Sequence, residues 1–203
     1  MGKFIVFEGL DGSGKSTQAK RLYKYFISNG KNCLLTYEPT GSELGCLARA
    51  VTKGELVLED ESLALLFAAD RYEHFTKKIS PVLVDGGVVV CDRYYYSNIA
   101  YQGLNEQAIG RILEYNQQVM KRPPDIVFFL DTEPQVCLER LKSTRKDISI
   151  YENQHQLEAL YKRYRTLFDR LGENVVTIET SGKSEENIAT SILRHMLISS
   201  FNA

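Results

Sequence analysis

The sequence predicts an α/β fold in which a five-stranded parallel sheet is flanked by helices. Two observations carry this prediction: five short apolar runs rich in β-branched and aromatic residues recur along the chain, and segments of helical periodicity separate them. A third observation is a glycine-rich segment, residues 9 to 17, placed between the first apolar run and the first helical pattern. Such alternation is typical of crossover units, whose strands lie parallel in one sheet.

The predicted strands follow from the apolar runs. Each run is too short for an ordinary helix, and each contains the valine, isoleucine or aromatic residues that strands favour. The runs are KFIVFE at residues 3 to 8, NCLLTY at 32 to 37, GVVVC at 87 to 91, DIVFFLD at 125 to 131 and NVVTIE at 174 to 179.

Helical periodicity accounts for much of the chain between the strands. Ala19, Leu22 and Phe26 share one face, Gly30 follows them as the expected C′ residue, and Ser184 is an expected N-cap. The apolar and aromatic face of the fifth helical segment is predicted to belong to the core. The predicted helices span residues 16 to 29, about 43 to 53, 60 to 84, 134 to 143, 152 to 171 with Gly172 at its end, and 184 to 199.

The glycine-rich segment GLDGSGKST has the spacing of a phosphate-binding P-loop. Gly9, four residues, Gly14, Lys15 and Ser16 fit that motif, whose backbone N–H groups converge on phosphate oxygens at the start of a helix. Lys15 is predicted to reach the β- and γ-phosphates of a nucleoside triphosphate, and the Ser16 hydroxyl to bind Mg²⁺. The alternative is a glycine-rich turn without a ligand. The motif favours a three-layer P-loop NTPase fold whose ATP-binding residues are Gly9, Leu10, Asp11, Gly12, Ser13, Gly14, Lys15, Ser16 and Thr17.

Composition narrows the class of protein. The length of 203 residues fits a single domain, residues 1 to 203, and 43% hydrophobic residues with a net charge of -1 argue against nucleic-acid or membrane partners held by bulk charge. The chain starts without a charged-then-apolar signal segment, which predicts a cytoplasmic location. A metal site or disulfide framework is not expected from cysteines this far apart, namely Cys33, Cys46, Cys91 and Cys137.

Polar residues at strand ends and in apolar helices mark the rest of the candidate site. Asp92 and Arg93 follow the third strand, at the sheet edge where such folds bind ligands, so Asp92 can hold Mg²⁺ through water and Arg93 can grip a phosphate. The alternative is a surface pair. Arg49 and Arg71 lie in apolar helical stretches, where a buried guanidinium needs an acceptor, unless it extends to water. The Glu38-Pro39 turn lies at the same sheet edge.

A basic segment at residues 139 to 147 is the expected lid, set at about residues 140 to 152. Phosphoryl transfer needs cations beyond the P-loop lysine, and residues 10 to 13 contain no arginine. We therefore expect this segment to supply the missing catalytic cation. The alternative is that the charge run only forms a solvated face of the protein. Its cations are Arg140, Lys142, Arg145 and Lys146, of which Arg145 and Arg140 are preferred.

Taken together, these motifs resemble one family, the thymidylate kinases, which transfer the γ-phosphoryl group of ATP to dTMP. The resemblance covers essentially the whole chain, and its most specific part is the string after the third strand. The matching motifs are FEGLDGSGKST, EPTGSELGCLAR, LLFAADR and DRYYYSNIAYQG.

The resemblance implies a base and sugar site. Phe67 is expected to stack on thymine, and Arg71 to bond the base oxygen that distinguishes thymine from cytosine. Ser97 and Asn98 are expected to face the base, and Tyr101 to crowd the sugar 2′ position.

The resemblance also implies a phosphate site. Arg49 and Arg93 are expected to hold the dTMP phosphate, with the Glu38-Pro39 turn beside it, and Asp11 to contact the sugar 3′-hydroxyl or magnesium-bound water. Lys15, Arg93, Asp11, Arg145 and Arg140 are the expected catalytic residues, and Ser16 and Asp92 the metal-binding ones.

Two segments depart from the family pattern. Tyr37 precedes Glu38 where arginine is common, and Thr40 and Gly41 follow Pro39 where two glycines are common. The lid has Asp147 followed by isoleucine instead of the frequent Asp-Arg-aromatic-Glu pattern, which leaves the acting lid cation open.

The resulting hypothesis is an ATP- and Mg²⁺-dependent dTMP kinase that forms a homodimer through the apolar residues 63 to 70. The alternatives are a P-loop kinase for another nucleotide or a deoxynucleoside, and a non-catalytic nucleotide-binding protein.

Overall fold

A computed structural model describes residues 2 to 144, 153 to 171 and 174 to 198. Its centre is an all-parallel sheet in the order β2-β3-β1-β4-β5, which confirms the predicted α/β fold. Each strand begins within one residue of its predicted start. The strands are β1 (Lys3–Glu8), β2 (Cys33–Tyr37), β3 (Val88–Asp92), β4 (Ile126–Asp131) and β5 (Val175–Glu179).

Helices cover both faces of the sheet in the described part of the chain. They are α1 (Lys15–Ser28), α2 (Glu43–Thr52), α3 (Asp60–His74), α4 (Ser80–Val84), α5 (Tyr95–Gln102), α6 (Glu106–Met120), α7 (Pro134–Thr144), α8 (Gln154–Leu171) and α9 (Glu185–Ile198). None of them combines the length and the apolar composition that a membrane crossing requires.

The alternation of side chains along β1 creates two cores. Ile5 and Phe7 pack with α1 and α9, whereas Phe4 and Val6 face the opposite layer, which includes Tyr164 of α8 as predicted. The central strands are therefore buried on both faces, which is why they read as continuous apolar runs. The result is three layers, with helices on either side of the sheet.

The helix predicted over residues 60 to 84 is divided in the structure. A π-helical turn at Phe75–Ile79 separates α3 from α4. Pro81, near the start of α4, cannot donate a backbone hydrogen bond and displaces the carbonyl one turn earlier, and the wider turn accommodates this disruption. The prediction was also incomplete, because it contained no helix between β3 and β4, where α5 and α6 lie.

Two predictions fall outside the described residues. Gly172, expected to end α8, is one, and most of the lid, including Arg145 and Lys146, is the other. The single-domain assignment of residues 1 to 203 stays a prediction.

Candidate active site

The P-loop connects β1 to α1 at the carboxyl edge of the sheet. Gly9, Gly12 and Gly14 all have positive φ. At Gly12 an added Cβ would lie 2.6 Å from the carbonyl oxygen of Cys137 in α7, so a side chain fits neither the backbone conformation nor the space. The loop is consequently packed tightly against α7, with its N–H groups at the start of α1.

Lys15 is held inside the loop. Its side chain is buried, and Nζ donates a hydrogen bond of 2.7 Å to the carbonyl oxygen of Leu10. Burial lowers the pKa of Lys15, and the nearby charge of Arg93 lowers it further. A phosphate chain in the loop would oppose both effects, because a negative ligand stabilises the ammonium form.

Ser16 and Asp92 form a pair of oxygen ligands beside the loop. The Ser16 hydroxyl donates to Oδ2 of Asp92, and Oδ1 of Asp92 is buried without a hydrogen-bond donor among the described residues. Hydroxyl and carboxylate oxygens are the ligands that Mg²⁺ prefers. The residues present therefore fit a magnesium ion, and the magnesium site itself stays a prediction.

Arg93 lies between the P-loop and α5, and its positive φ of 73° is the only one among the non-glycine residues that the structure describes. Its Nη2 donates to Asp11 Oδ1 at 2.6 Å, and its Nη1 donates to Ser97 Oγ at 2.9 Å. Tyr101 donates to Asp11 at 3.2 Å, and its ring lies against the guanidinium. Burial alone would lower the pKa of Arg93, but Asp11 and Tyr101 raise it well above the usual value, so this arginine stays charged.

Glu8, the last residue of β1, is linked to Arg93 through the Ser97 hydroxyl. Its carboxylate accepts hydrogen bonds from the Tyr94 backbone N–H at 2.8 Å, the Ser97 hydroxyl at 2.7 Å and the Tyr164 hydroxyl at 3.0 Å. Burial raises the pKa of Glu8, whereas Arg93 and these bonds oppose the rise. No role was predicted for Glu8 from the sequence, although a carboxylate at the end of an apolar strand was a visible signal.

Arg71 is fully buried, which overturns the alternative that it extends to water. Its Nε donates to Glu38 Oε2 at 2.6 Å, and Nη1 donates to Asn116 Oδ1 at 2.6 Å and Asn98 Oδ1 at 3.3 Å. In the described part of the chain, Nη2 donates no hydrogen bond. The guanidinium is thus fixed on two sides, with one nitrogen left for a ligand.

His74 continues this network. Its Nδ1 lies 2.9 Å from Glu38 Oε1, and its Nε2 lies 2.6 Å from Thr36 Oγ1. Glu38, His74 and Cys91 bring possible metal-binding atoms within 4.8 Å of one another. The Arg71 guanidinium already neutralises Glu38, however, and both ring nitrogens of His74 are engaged. The cluster is therefore a hydrogen-bond network that holds Arg71 and does not favour a cation.

Arg49 and Arg140 approach the P-loop cleft from two other helices. Arg49, in α2, donates from Nη1 to the Pro39 carbonyl oxygen at 2.6 Å. Arg140, in α7, donates from Nη1 to the Gly12 carbonyl oxygen at 3.2 Å. Lys142 is exposed at the end of the same helix. Among the lid cations inside the described ranges, Arg140 thus contacts the phosphate loop directly.

One cleft of about 790 Å³ joins these groups, and it runs from the P-loop to the Glu38-Pro39 turn. Other predicted residues contact side chains that line the cleft: Arg71 contacts Glu38, whereas Ser97 and Tyr101 contact Arg93. Asn98 lies behind Arg71, and Phe67 is half-buried in α3. The predicted site residues that line the cleft are Asp11, Gly12, Ser13, Gly14, Lys15, Ser16, Thr17, Glu38, Pro39, Arg49, Asp92, Arg93 and Arg140.

Several residues of the network besides Glu8 were not predicted from the sequence. Asn116 of α6 and His74 of α3 are buried and bond the predicted site residues Arg71 and Glu38. Asp70 of α3 is also buried, and it bonds Thr40 in the loop after Glu38. Their signal was a polar residue inside an amphipathic helix, which by itself does not identify its partner.

Because the phosphate loop and Arg49 line the same cleft, two phosphate-bearing ligands can meet end to end there. This arrangement places the protein in the class of P-loop nucleotide kinases. Residues 7–192 match the family model described as thymidylate kinase. The chain belongs to the thymidylate kinase family.

Individual relatives agree with the family model over nearly their full length. A probable thymidylate kinase of Methanocaldococcus jannaschii is 41% identical over 196 residues, which is 95% of each chain. A putative thymidylate kinase of Treponema pallidum is 36% identical, covering 95% of this chain and 94% of the relative. A thymidylate kinase of Rickettsia typhi is 36% identical, covering 96% and 97% respectively.

Proposed function

We propose that this protein transfers the γ-phosphoryl group of ATP to dTMP and forms dTDP, with Mg²⁺ bound at the donor phosphates. The observation that carries the proposal is that the P-loop and Arg49 line one and the same cleft. Titration of dTMP with ATP and Mg²⁺, followed by identification of the nucleotide products, tests it. Formation of dTDP and ADP in equal amounts is expected, whereas ADP release without dTDP would contradict it.

The donor end of the cleft holds ATP. The P-loop N–H groups and Lys15 bind its phosphates, while Ser16 and Asp92 would hold a magnesium ion, which would supply positive charge beside the phosphate chain. Direct transfer in this geometry needs no covalent enzyme intermediate, because catalysis rests on positioning and on stabilisation of charge.

The acceptor end holds dTMP. In this proposal Arg49 and Arg93 bind its phosphate, and Asp11 contacts the sugar 3′-hydroxyl or magnesium-bound water. Hydrogen bonds from Arg93 and Tyr101 to the Asp11 carboxylate support this role, because they hold it beside the cleft. In the free protein the Ser97 hydroxyl accepts a hydrogen bond from Arg93 and donates one to Glu8, so it helps to hold Arg93 in place. A contact of Ser97 with the base stays a prediction.

Arg71 is expected to make the enzyme prefer dTMP to dCMP. Its guanidinium can only donate, so it pairs with the carbonyl oxygen of thymine and not with the amino group of cytosine. A mismatched buried donor costs about 1 to 3 kcal/mol, which corresponds to roughly 5- to 150-fold in kcat/KM. Competition between the two nucleotides measures the ratio, and equal use of both would contradict this role of Arg71.

A homodimer is expected through residues 63 to 70 and their neighbours. Leu65 of α3 is 46% exposed, Tyr72 of α3 is 53% exposed and Leu47 of α2 is 43% exposed, although most of the other residues of 63 to 70 are buried or half-buried. A two-fold contact would cover the same patch on both subunits. Sedimentation should show a species twice the mass of the 23.1 kDa chain, and Leu65→Glu should shift it toward the monomer. A wild-type monomer at micromolar concentration would contradict the interface.

A further inference from the structure

We propose that Asp70 is a positioning residue for phosphate recognition, and that it acts by fastening the loop after Glu38, through Thr40 and Ser42, so that Arg49 points into the cleft. This proposal rests on the proposed function, since the ligand that Arg49 meets is taken to be the phosphate of dTMP.

Asp70 is a buried carboxylate whose hydrogen bonds all reach one short loop. It is 1% exposed, and it accepts from the Thr40 backbone N–H at 2.8 Å, from the Thr40 hydroxyl and from the Ser42 hydroxyl at 2.8 Å. Burial of a carboxylate is costly unless donors satisfy it, and bonds to an ionised acceptor are stronger than neutral ones. The loop is therefore held firmly to α3.

The same loop forms the start of α2. Ser42 is the N-cap of α2: its Oγ accepts from the Gly45 N–H at 3.1 Å, and its own N–H donates to Thr40 Oγ1 at 3.0 Å. Gly45 lies so close to Thr40 that an added Cβ would be 2.2 Å from the Thr40 carbonyl oxygen. The first turn of α2 is thus seated directly on the segment that Asp70 holds.

Arg49 lies one turn after Gly45, on the same side of α2. Its Nη1 donates to the Pro39 carbonyl oxygen at 2.6 Å, so its guanidinium is oriented by the helix and by the loop. Asp70 holds both the loop, through Thr40, and the start of α2, through Ser42. Arg71, the next residue of α3, fixes Glu38 at the start of the loop, so two neighbouring side chains anchor its two halves.

Asp70 and Arg71 therefore support two different parts of the acceptor site, the phosphate end and the nucleoside end. Loss of the Asp70 contacts should weaken recognition of the phosphate, because Arg49 is released, while Arg71 and Glu38 continue to hold the nucleoside end. The distinguishing measurement is the ratio of dTMP affinity to thymidine affinity, because thymidine lacks the phosphate. A general loss of structure would lower both affinities together.

The test compares Thr40→Val with Thr40→Ser by calorimetric titration of dTMP and of thymidine. Thr40→Val keeps the shape but removes the hydroxyl, and with it the bond to Asp70 and the bond from the Ser42 N–H. We expect dTMP affinity to fall about tenfold, chiefly through the lost bond to the charged carboxylate. Thymidine affinity should change less than about twofold, and Thr40→Ser should restore both. Asp70→Asn, whose amide nitrogen cannot accept, should act in the same direction.

A double-mutant cycle with Arg49→Ala identifies the route of the effect. If Asp70 acts through Arg49, Thr40→Val should cost almost nothing further in dTMP affinity once Arg49 is absent. Additive losses, or equal losses for dTMP and thymidine, would overturn the proposal. Wild-type protein that binds dTMP no better than thymidine would refute the proposed function itself, which is a different result.

Discussion

Lys15→Met is expected to lower kcat by about 10³-fold or more while the protein remains folded. The P-loop lysine stabilises the negative charge that spreads over the β- and γ-phosphates during transfer, and loss of even a neutral donor in such a role costs about 10²- to 10³-fold. Methionine has a similar length and tolerates burial. In the free protein the substitution therefore removes chiefly the hydrogen bond from Nζ to the Leu10 carbonyl oxygen, and the fold should survive it.

The matched control is Lys24→Met, in the same helix, because Lys24 is exposed and is not among the residues that line the cleft. Steady-state rates with saturating dTMP, together with thermal unfolding, should show a loss confined to Lys15→Met and similar melting temperatures for both variants. Normal turnover by a folded Lys15→Met protein would refute the assignment of the active site.

The strands and the P-loop were predictable because their signals are local. Residues 3 to 17 contain, in order, an apolar strand, the glycines and the first turn of a helix, and no distant contact is needed to recognise them. The Asp92-Arg93 pair was found for a similar reason, since the end of an apolar strand fixes which edge of the sheet it reaches.

Helices α5 and α6 were missed for different reasons. The α5 sequence YYSNIAYQ is short and rich in residues that favour strands, so packing and not local propensity makes it helical. The signal for α6 was present: Asn105 caps it by accepting from the Ala108 N–H at 2.9 Å, and Ile112, Asn116 and Val119 form its buried face.

The hydrogen-bond network behind the site could not be derived from the sequence. Glu8 pairs with Tyr94 and Tyr164, which lie 86 and 156 positions away, and Arg71 pairs with Asn116, 45 positions away. A polar residue inside an apolar pattern shows that some partner must exist. Only the packing of α5 and α8 over the end of β1, and of α6 against α3, decides which partner it is.

The second large effect is expected in the lid, where Arg140→Ala should lower kcat by about 10²-fold and change dTMP affinity much less. Residues 10 to 13 supply no arginine, so a cation from outside the P-loop must neutralise the transferring group. Arginines in this role contribute about 10³- to 10⁵-fold, and a partly redundant lid should lose less. Arg140 already bonds the Gly12 carbonyl oxygen and lines the cleft, which makes it the preferred candidate among the described lid residues.

Lys142→Ala is the matched control, because Lys142 belongs to the same helix and is exposed. We expect Lys142→Ala to keep near-normal kcat, and Arg145→Ala, at a position outside the described residues, to show whether a second arginine shares the task. A lid that closes over both substrates would give losses in kcat and not in dTMP binding. If Arg140→Ala and Arg145→Ala both keep near-normal rates, the catalytic cation does not come from the lid arginines. The charge on the transferring group would then be neutralised by a residue elsewhere, while Arg49 and Arg93 still position the substrate.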